Sequence, residues 1–315
     1  MILCTSESLL DENIKKIEFE TKTKVIQKKI SFLSEIEKYQ IQCILTYGNY
    51  DDLITAEDLE QLPNVKWIQS MSSGTEQLPY EIIAKKNICV TSAKGVHAIP
   101  ISEYVMATML YFAKKIEKFQ SLKKSTTWDI SIEMFELYEK NLGVLGTGHI
   151  GQEIANKARH FGMNVLGMNR TGYEVEGFQK VYSLNQITDM LPHCDYICSV
   201  LPSNVDTRDL INRKTINLMK DGVIFINVGR GDLVVEEDIV DALQTRKISG
   251  AALDVFRDEP LESAHPLWFM DNVIISPHAS AQTNMFINRF LGIFLRNYIH
   301  FRSGDFSKMI NRINS

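Results

Sequence analysis

An arginine, a carboxylate and a histidine each stand just beyond a short apolar run in the second half of the chain. Arg230, flanked by Gly229 and Gly231, follows the run at 223–228. Asp254 closes the run at 250–253, and Glu259-Pro260 lies a few residues on. Pro277-His278 follows the run at 273–276. If these runs are parallel strands, the three groups project from one edge of one sheet, where ligands of open α/β sheets bind. Oxidising an alcohol to a ketone requires removal of the hydroxyl proton, and reduction requires its return. Imidazole titrates nearest neutral pH, so His278 is the candidate general acid–base. A carboxylate beside it would fix the ring and favour its charged form, and Glu259 is the candidate. An arginine can neutralise a substrate carboxylate and polarise a carbonyl, the role assigned to Arg230. The competing readings are ordinary ones: Arg230 as a surface ion-pair partner, Asp258-Glu259-Pro260 as a charged turn, and the remaining histidines as surface or packing residues.

A second constellation, Gly146-Thr147-Gly148-His149-Ile150-Gly151, follows an apolar run ending at Leu145 and precedes a helical pattern over 152–161. Gly146 permits a tight turn, Gly148 lets the backbone approach a pyrophosphate, and Gly151 allows close helix–strand packing. The helix would aim its free N–H groups and positive dipole end at the phosphates. A dinucleotide is the expected ligand; a glycine-rich turn without ligand is the alternative. An acid about 20 residues past such a loop reads the NAD ribose. Here the next run ends Gly167-Met168-Asn169-Arg170-Thr171, with no acid. Asn169 and Arg170 suit a 2′-phosphate, because guanidinium pairs with phosphate through a planar fork. NADP(H) is therefore expected in preference to NAD(H), unless Arg170 is merely solvated or stacks on adenine.

The elements that must position these groups follow from the alternation of short apolar runs with amphipathic segments. In the first part the runs include 43–46, 65–71 and 88–90, with helical pieces at 55–61, opened by a Thr-x-x-Asp cap, and 79–86. One long helix is expected over 101–121, and the alternation restarts at 141 as a six-strand series. The fold expected is α/β, with two Rossmann-like or flavodoxin-like domains, parallel sheets and a cleft between them. Residues 1–95 with 284–315 would form a substrate domain, and residues 96–283 the dinucleotide domain.

Length and charge agree with this frame. The 315 residues suit two domains. A net charge of −5 argues against a nucleic-acid surface. No apolar run approaches a membrane span, and Met1-Ile2-Leu3 leads straight into polar residues, so no signal peptide is apparent and the cytoplasm is expected. The five cysteines, Cys4, Cys43, Cys89, Cys194 and Cys198, form no metal-binding spacing and read as buried reduced thiols. No metal is expected.

The ordered stretches 142–151, Ile226-Asn227-Val228-Gly229-Arg230-Gly231, Ala252-Leu253-Asp254-Val255-Phe256 through Glu259-Pro260, and 272–278 resemble the D-isomer-specific 2-hydroxyacid dehydrogenases. That group includes phosphoglycerate, glycerate and D-lactate dehydrogenases and glyoxylate/hydroxypyruvate reductases. The resemblance spans nearly the whole chain. It implies a catalytic set of Arg230, Glu259 and His278, with Asp254 meeting the nicotinamide carboxamide. It also implies that Leu201, Pro202, Thr207, Val228 and Gly229 line the cofactor. Ser72-Ser73-Gly74 resembles the loop whose backbone N–H groups bind the substrate carboxylate, so Ser73 and Gly74 are substrate candidates. His97 and Ser102 would border the cleft without being catalytic.

Two departures from the family pattern matter. Thr75-Glu76 replaces a small residue followed by Asp, which leaves substrate choice open. The Asn169-Arg170-Thr171 stretch is similar to that of NADP-using glyoxylate/hydroxypyruvate reductases. With no further domain after residue 315, the serine-type feedback of longer phosphoglycerate dehydrogenases is not expected. The resemblance implies reduction of a small 2-oxo acid, and a homodimer joined through the apolar residues of the 111–138 stretch. A nucleotide-sensing binding protein, like the family's corepressors, is the alternative.

Overall fold

The computed structural model describes residues 1–48 and 52–313. The chain divides into two compact units, one of residues 1–96 with 283–315 and one of residues 97–282.

The first unit carries a five-stranded parallel sheet: β1 (Ile2–Cys4), β2 (Val25–Gln27), β3 (Cys43–Thr46), β4 (Trp67–Ser70) and β5 (Cys89–Thr91), in the order β2-β1-β3-β4-β5. Its helices are α1 (Asp11–Thr21), α2 (Glu35–Gln40), α3 (Ala56–Glu60), α4 (Tyr80–Lys85) and, from the C-terminal segment, the last helix of the chain (Phe286–Ser303). Successive strand residues face opposite sides, so the buried runs split between two cores. Ile2, Cys4, Cys43, Leu45 and Trp67 pack with Phe290, Leu291 and Phe294 of that last helix. Leu3, Ile44, Ile68 and Val90 pack with Leu59, Ile82 and Ile83. Trp67 is fully buried and stacks on Phe294 with ring centroids 5.3 Å apart. The helix at 56–60 begins with the capping box expected from Thr55 and Asp58.

The second unit holds a seven-stranded parallel sheet of β6 (Asn141–Leu145), β7 (Asn164–Asn169), β8 (Lys180–Ser183), β9 (Tyr196–Ser199), β10 (Val223–Asn227), β11 (Ile248–Leu253) and β12 (Val273–Ile275). Their order is β12-β11-β10-β9-β6-β7-β8. Its helices are α5 (Ala98–Ala113), α6 (Ile116–Lys124), α7 (His149–His160), α8 (Ile187–Met190), α9 (Arg213–Leu218) and α10 (Glu236–Gln244), so the chain's last helix is α11. Phe225 faces one core and its neighbours Ile224 and Ile226 the other, as parallel strands covered on both faces require.

Two expectations are corrected. The six-strand series gains a seventh, edge strand, β8, whose sequence Lys180-Val181-Tyr182-Ser183 lacks a continuous apolar run. The single helix expected over 101–121 is broken: Lys115 adopts the left-handed conformation (φ 52°) between α5 and α6, without the glycine that usually marks such a stop. Among the described residues no helix is long and apolar enough to cross a membrane. Cys4, Cys43, Cys194 and Cys198 are buried, and burial raises each thiol's pKa, that of Cys194 to about 12.

In the second sheet the order reverses around β6. Leu145 pairs with Met168 and Ser199, Asn227 with Ser199 and Leu253, and Leu253 with Ile275. The carboxyl ends of β6, β7 and β9–β12 therefore finish together, and everything following them is delivered to one edge.

Candidate active site

The turn after β6 has the geometry its glycines dictate. Gly146 sits at φ 110°, a conformation that disfavours side chains. A Cβ on Gly151 would fall 1.9 Å from the Gly146 carbonyl oxygen, so only glycine lets α7 start this close to the strand. A Cβ on Gly148 would meet nothing within 4 Å. Gly148 is the N-cap of α7, with extended backbone and no side-chain cap. The N-terminus of this 12-residue helix therefore has no capping side chain at Gly148, and the space beside that residue is open. That is an anion cradle, and it fits a dinucleotide pyrophosphate. His149 opens α7 at the surface and Ile150 packs toward the core.

Arg230, Glu259 and His278, which come from the ends of β10, β11 and β12, line one cavity of about 470 Å³. Glu259 Oε2 lies 2.9 Å from His278 Nδ1. Its other oxygen accepts from the Phe256 N–H at 3.1 Å, which fixes the carboxylate. The imidazole is half-exposed, and its Nε2 makes no hydrogen bond among the described residues. It is therefore available to a ligand. Arg230 Nη1 donates to the Gly229 carbonyl at 2.7 Å, and the buried Asn227 amide donates to the Arg230 carbonyl at 3.0 Å. An ideal Cβ on Gly231 would lie 1.9 Å from the Phe256 carbonyl, so glycine is what brings the Arg230 segment against the segment leading to Glu259.

Asp254, at the end of β11, is 1% exposed. Its Oδ1 accepts from Ser276 Oγ (2.5 Å), Ala279 N (2.8 Å) and Ser280 N (3.0 Å). Its Oδ2 accepts from Ser280 Oγ (2.5 Å) and Ser280 N (3.1 Å). The backbone carbonyl of Asp254 accepts from the His278 N–H at 2.8 Å. These bonds occupy the acceptor capacity of the carboxylate. The geometry makes Asp254 a clamp on the turn that carries His278, which itself sits at φ 53°. Ser276 also meets the Tyr104 hydroxyl at 2.8 Å, and burial raises the pKa of that phenol.

The other expected residues fall into two groups. Some support loops from within. Thr207 is buried and donates to the Pro202 carbonyl at 2.7 Å, closing the loop that starts at Leu201. Val228 is buried with its N–H on Ser199, and Gly229 bonds to the Asn227 side chain. Asn169 is buried; its amide donates to Thr147 Oγ1 and the Tyr173 carbonyl, and its Oδ1 accepts from the Thr171 and Gly172 N–H groups. It holds the loop rather than offering a free group. Ser102 is fully buried against the Ile99 carbonyl. The others are exposed. Arg170 and Thr171 stand at the surface past β7. In the first unit, Ser73 is exposed after β4, and the Gly74 N–H bonds weakly to Ser72 Oγ at 3.3 Å. There Glu76 folds back, placing Oε2 2.6 Å from an ideal Cβ on Gly74.

Sequence reasoning missed Ser203, Arg208, Asp232 and Arg257, which line the same cavity as His278. Ser203 donates to Asp232 at 2.5 Å, Arg208 lies 3.6 Å from Asp232, and Arg257 pairs with Asp209. Asp232 and Arg257 are within two residues of Arg230 and Glu259, which was the available signal.

Comparison with known proteins places these features. Residues 106–280 match the family described as D-isomer specific 2-hydroxyacid dehydrogenase, NAD binding domain. The chain is 35% identical over 232 residues to the D-3-phosphoglycerate dehydrogenase of Methanocaldococcus jannaschii, covering 73% of this chain and 44% of that one. It therefore spans less than half the length of that relative. It is 32% identical over 233 residues to the hydroxypyruvate reductase of Thermotoga maritima, covering 73% of this chain and 75% of the relative. Among solved structures, a D-isomer specific 2-hydroxyacid dehydrogenase family protein from Aeromonas salmonicida superposes with a TM-score of 0.79 at 30% identity, covering 99% of this chain and 98% of the other.

Proposed function

Since the chain belongs to the D-isomer specific 2-hydroxyacid dehydrogenase family, we propose that it reduces a small 2-oxo acid, of the size of glyoxylate or hydroxypyruvate, to the D-2-hydroxy acid, using NADP(H) in preference to NAD(H). The observation that carries the proposal is the meeting of Arg230 and the Glu259–His278 pair in a single cavity. Its volume of about 470 Å³ is ample for an acid of two or three carbons.

The nicotinamide cofactor, when bound, supplies a hydride to the carbonyl carbon. The rest of the chemistry falls to the chain. The Gly146–Gly151 turn and the start of α7 would hold the pyrophosphate, through N–H groups that have no side-chain cap. Arg230 neutralises the substrate carboxylate and draws charge onto the carbonyl oxygen. His278 gives its Nε2 proton to that oxygen as it becomes an alcohol, and takes the proton back in the reverse direction. Glu259 keeps the ring oriented through Nδ1. The Ser73 and Gly74 N–H groups of the first unit are the proposed second hold on the substrate carboxylate. Arg170, exposed and in no ion pair among the described residues, is the proposed partner of a 2′-phosphate. The hydroxypyruvate reductase of Thermotoga maritima, similar over three quarters of its length, supports the substrate size.

We also propose a homodimer. Trp128 and Ile130 are 93% and 90% exposed, with Met134 and Phe135 half-exposed beside them. A second copy would remove this apolar strap from water.

The test is a steady-state panel of glyoxylate, hydroxypyruvate, pyruvate and phenylpyruvate with NADPH and with NADH. Turnover of the two smallest hydrophilic acids with NADPH is expected. Cofactor binding without turnover across the panel would overturn the enzyme reading in favour of a nucleotide sensor.

A further inference from the structure

Arg289 and Arg296 are seven residues apart on α11, two helical turns, which places them on one face about 10 Å apart along the axis. Between them lies Gly292, where an added Cβ would meet nothing within 4 Å. The two arginines, Gly292, Gly95, Val96 and Ile310 line a cavity of about 280 Å³. It shares no lining residue with the cavity of Arg230, Glu259 and His278. The Arg289 Nη1 atom is buried and has no hydrogen-bond partner among the described residues. Among the described residues neither arginine belongs to an ion pair, and no acidic side chain lines the cavity.

Arginine cannot escape the cost of burial by losing its proton, so a buried guanidinium N–H without an acceptor is a charged donor left unsatisfied. Arg296, exposed at the rim of the same cavity, adds a second positive charge. An acceptor carrying negative charge satisfies the buried donor, and phosphate oxygens match the planar fork of a guanidinium. We propose that this face of α11 is a binding site for a small dianionic oxyanion of the phosphate class. The cavity volume admits phosphate itself or a small phosphate ester. A metal cation is disfavoured there by the two positive charges. The site does not depend on the dehydrogenase reading, because it uses none of the residues assigned to catalysis.

Isothermal titration of the full chain with inorganic phosphate, at ionic strength held constant with sodium chloride, tests the site. One saturable event localised to this face is expected. Arg289→Gln and Arg296→Gln should each weaken it roughly ten- to hundredfold, the range for losing a charge-assisted hydrogen bond. Gly292→Leu offers a second arm, since it fills the cavity, keeps both charges and suits a helix interior better than glycine. It should weaken phosphate comparably, with the thermal melt unchanged or raised. Wild-type heats that never saturate, or a saturable event indifferent to all three substitutions, would overturn the assignment.

Discussion

Replacing Gly231 by alanine places a methyl group where the chain has no room for one. The new Cβ would lie 1.9 Å from the carbonyl carbon and oxygen of Phe256 and 2.5 Å from the nitrogen of Arg257. All three are backbone atoms, so no rotamer change relieves the overlap. Ordinary contact begins near 3.4 Å, so the two segments must part by roughly 1.5 Å in a tightly packed neighbourhood. One segment carries Arg230. The other fixes Glu259 through the Phe256 N–H. Both would be displaced from the cavity they share. A misplacement of ~1 Å in a catalytic constellation costs about 10²-fold in rate, and overpacking costs about 1–3 kcal/mol of stability.

The expected outcome for Gly231→Ala is a kcat/KM for glyoxylate and NADPH lowered about 10²-fold, with native far-UV circular dichroism and a reduced denaturant midpoint. Gly148→Ala is the matched control. Its Cβ meets no protein atom within 4 Å, so the midpoint should hold while KM for NADPH rises, the methyl taking space assigned to the pyrophosphate. Wild-type kinetics in Gly231→Ala would refute the packing argument. An unchanged cofactor KM in Gly148→Ala would refute the assignment of the glycine turn.

Three further outcomes are expected. His278→Gln should lower kcat by about 10²–10⁴-fold, the range for losing general acid–base help; near-normal kcat excludes the proton-donor role. Arg170→Ala should raise KM for NADPH roughly ten- to hundredfold while leaving KM for NADH nearly unmoved, and equal effects on the two cofactors would remove Arg170 as the selector. Glu76→Gln should lower KM for the 2-oxo acid, because the Glu76 carboxylate now lies over Gly74, where an anionic substrate is proposed to bind; an unchanged KM would show that Glu76 swings clear at no cost.

Local chemistry made much of this molecule readable before its coordinates. Gly146 and Gly151 carry steric requirements that other residues do not meet, and their spacing with Gly148 announced a strand–turn–helix and its ligand class. Arg230, Glu259 and His278 were found by reading the ends of apolar runs, because a parallel sheet delivers all such ends to one edge. The Thr55–Asp58 cap was legible because both partners lie within one turn of chain. What escaped depended on contacts distant in sequence. β8 is held by pairing with β7 rather than by its own pattern. The stop at Lys115 has no glycine to mark it. The acceptors of Asp254 and Asn169 are filled by donors that only the folded loops bring near, so a carboxylate that suggested a ligand contact proves to be occupied by its own turn.

His278 occupies a backbone region that glycine or asparagine enters more cheaply, and a histidine there sacrifices on the order of 1 kcal/mol. Asp254 restrains the turn in that shape whether or not an imidazole is attached. Glycine at position 278 would therefore relieve that backbone cost while removing the proposed proton donor. Anyone evolving heat resistance in this scaffold without a parallel activity screen should find inactive clones enriched, with position 278 among the first to drift.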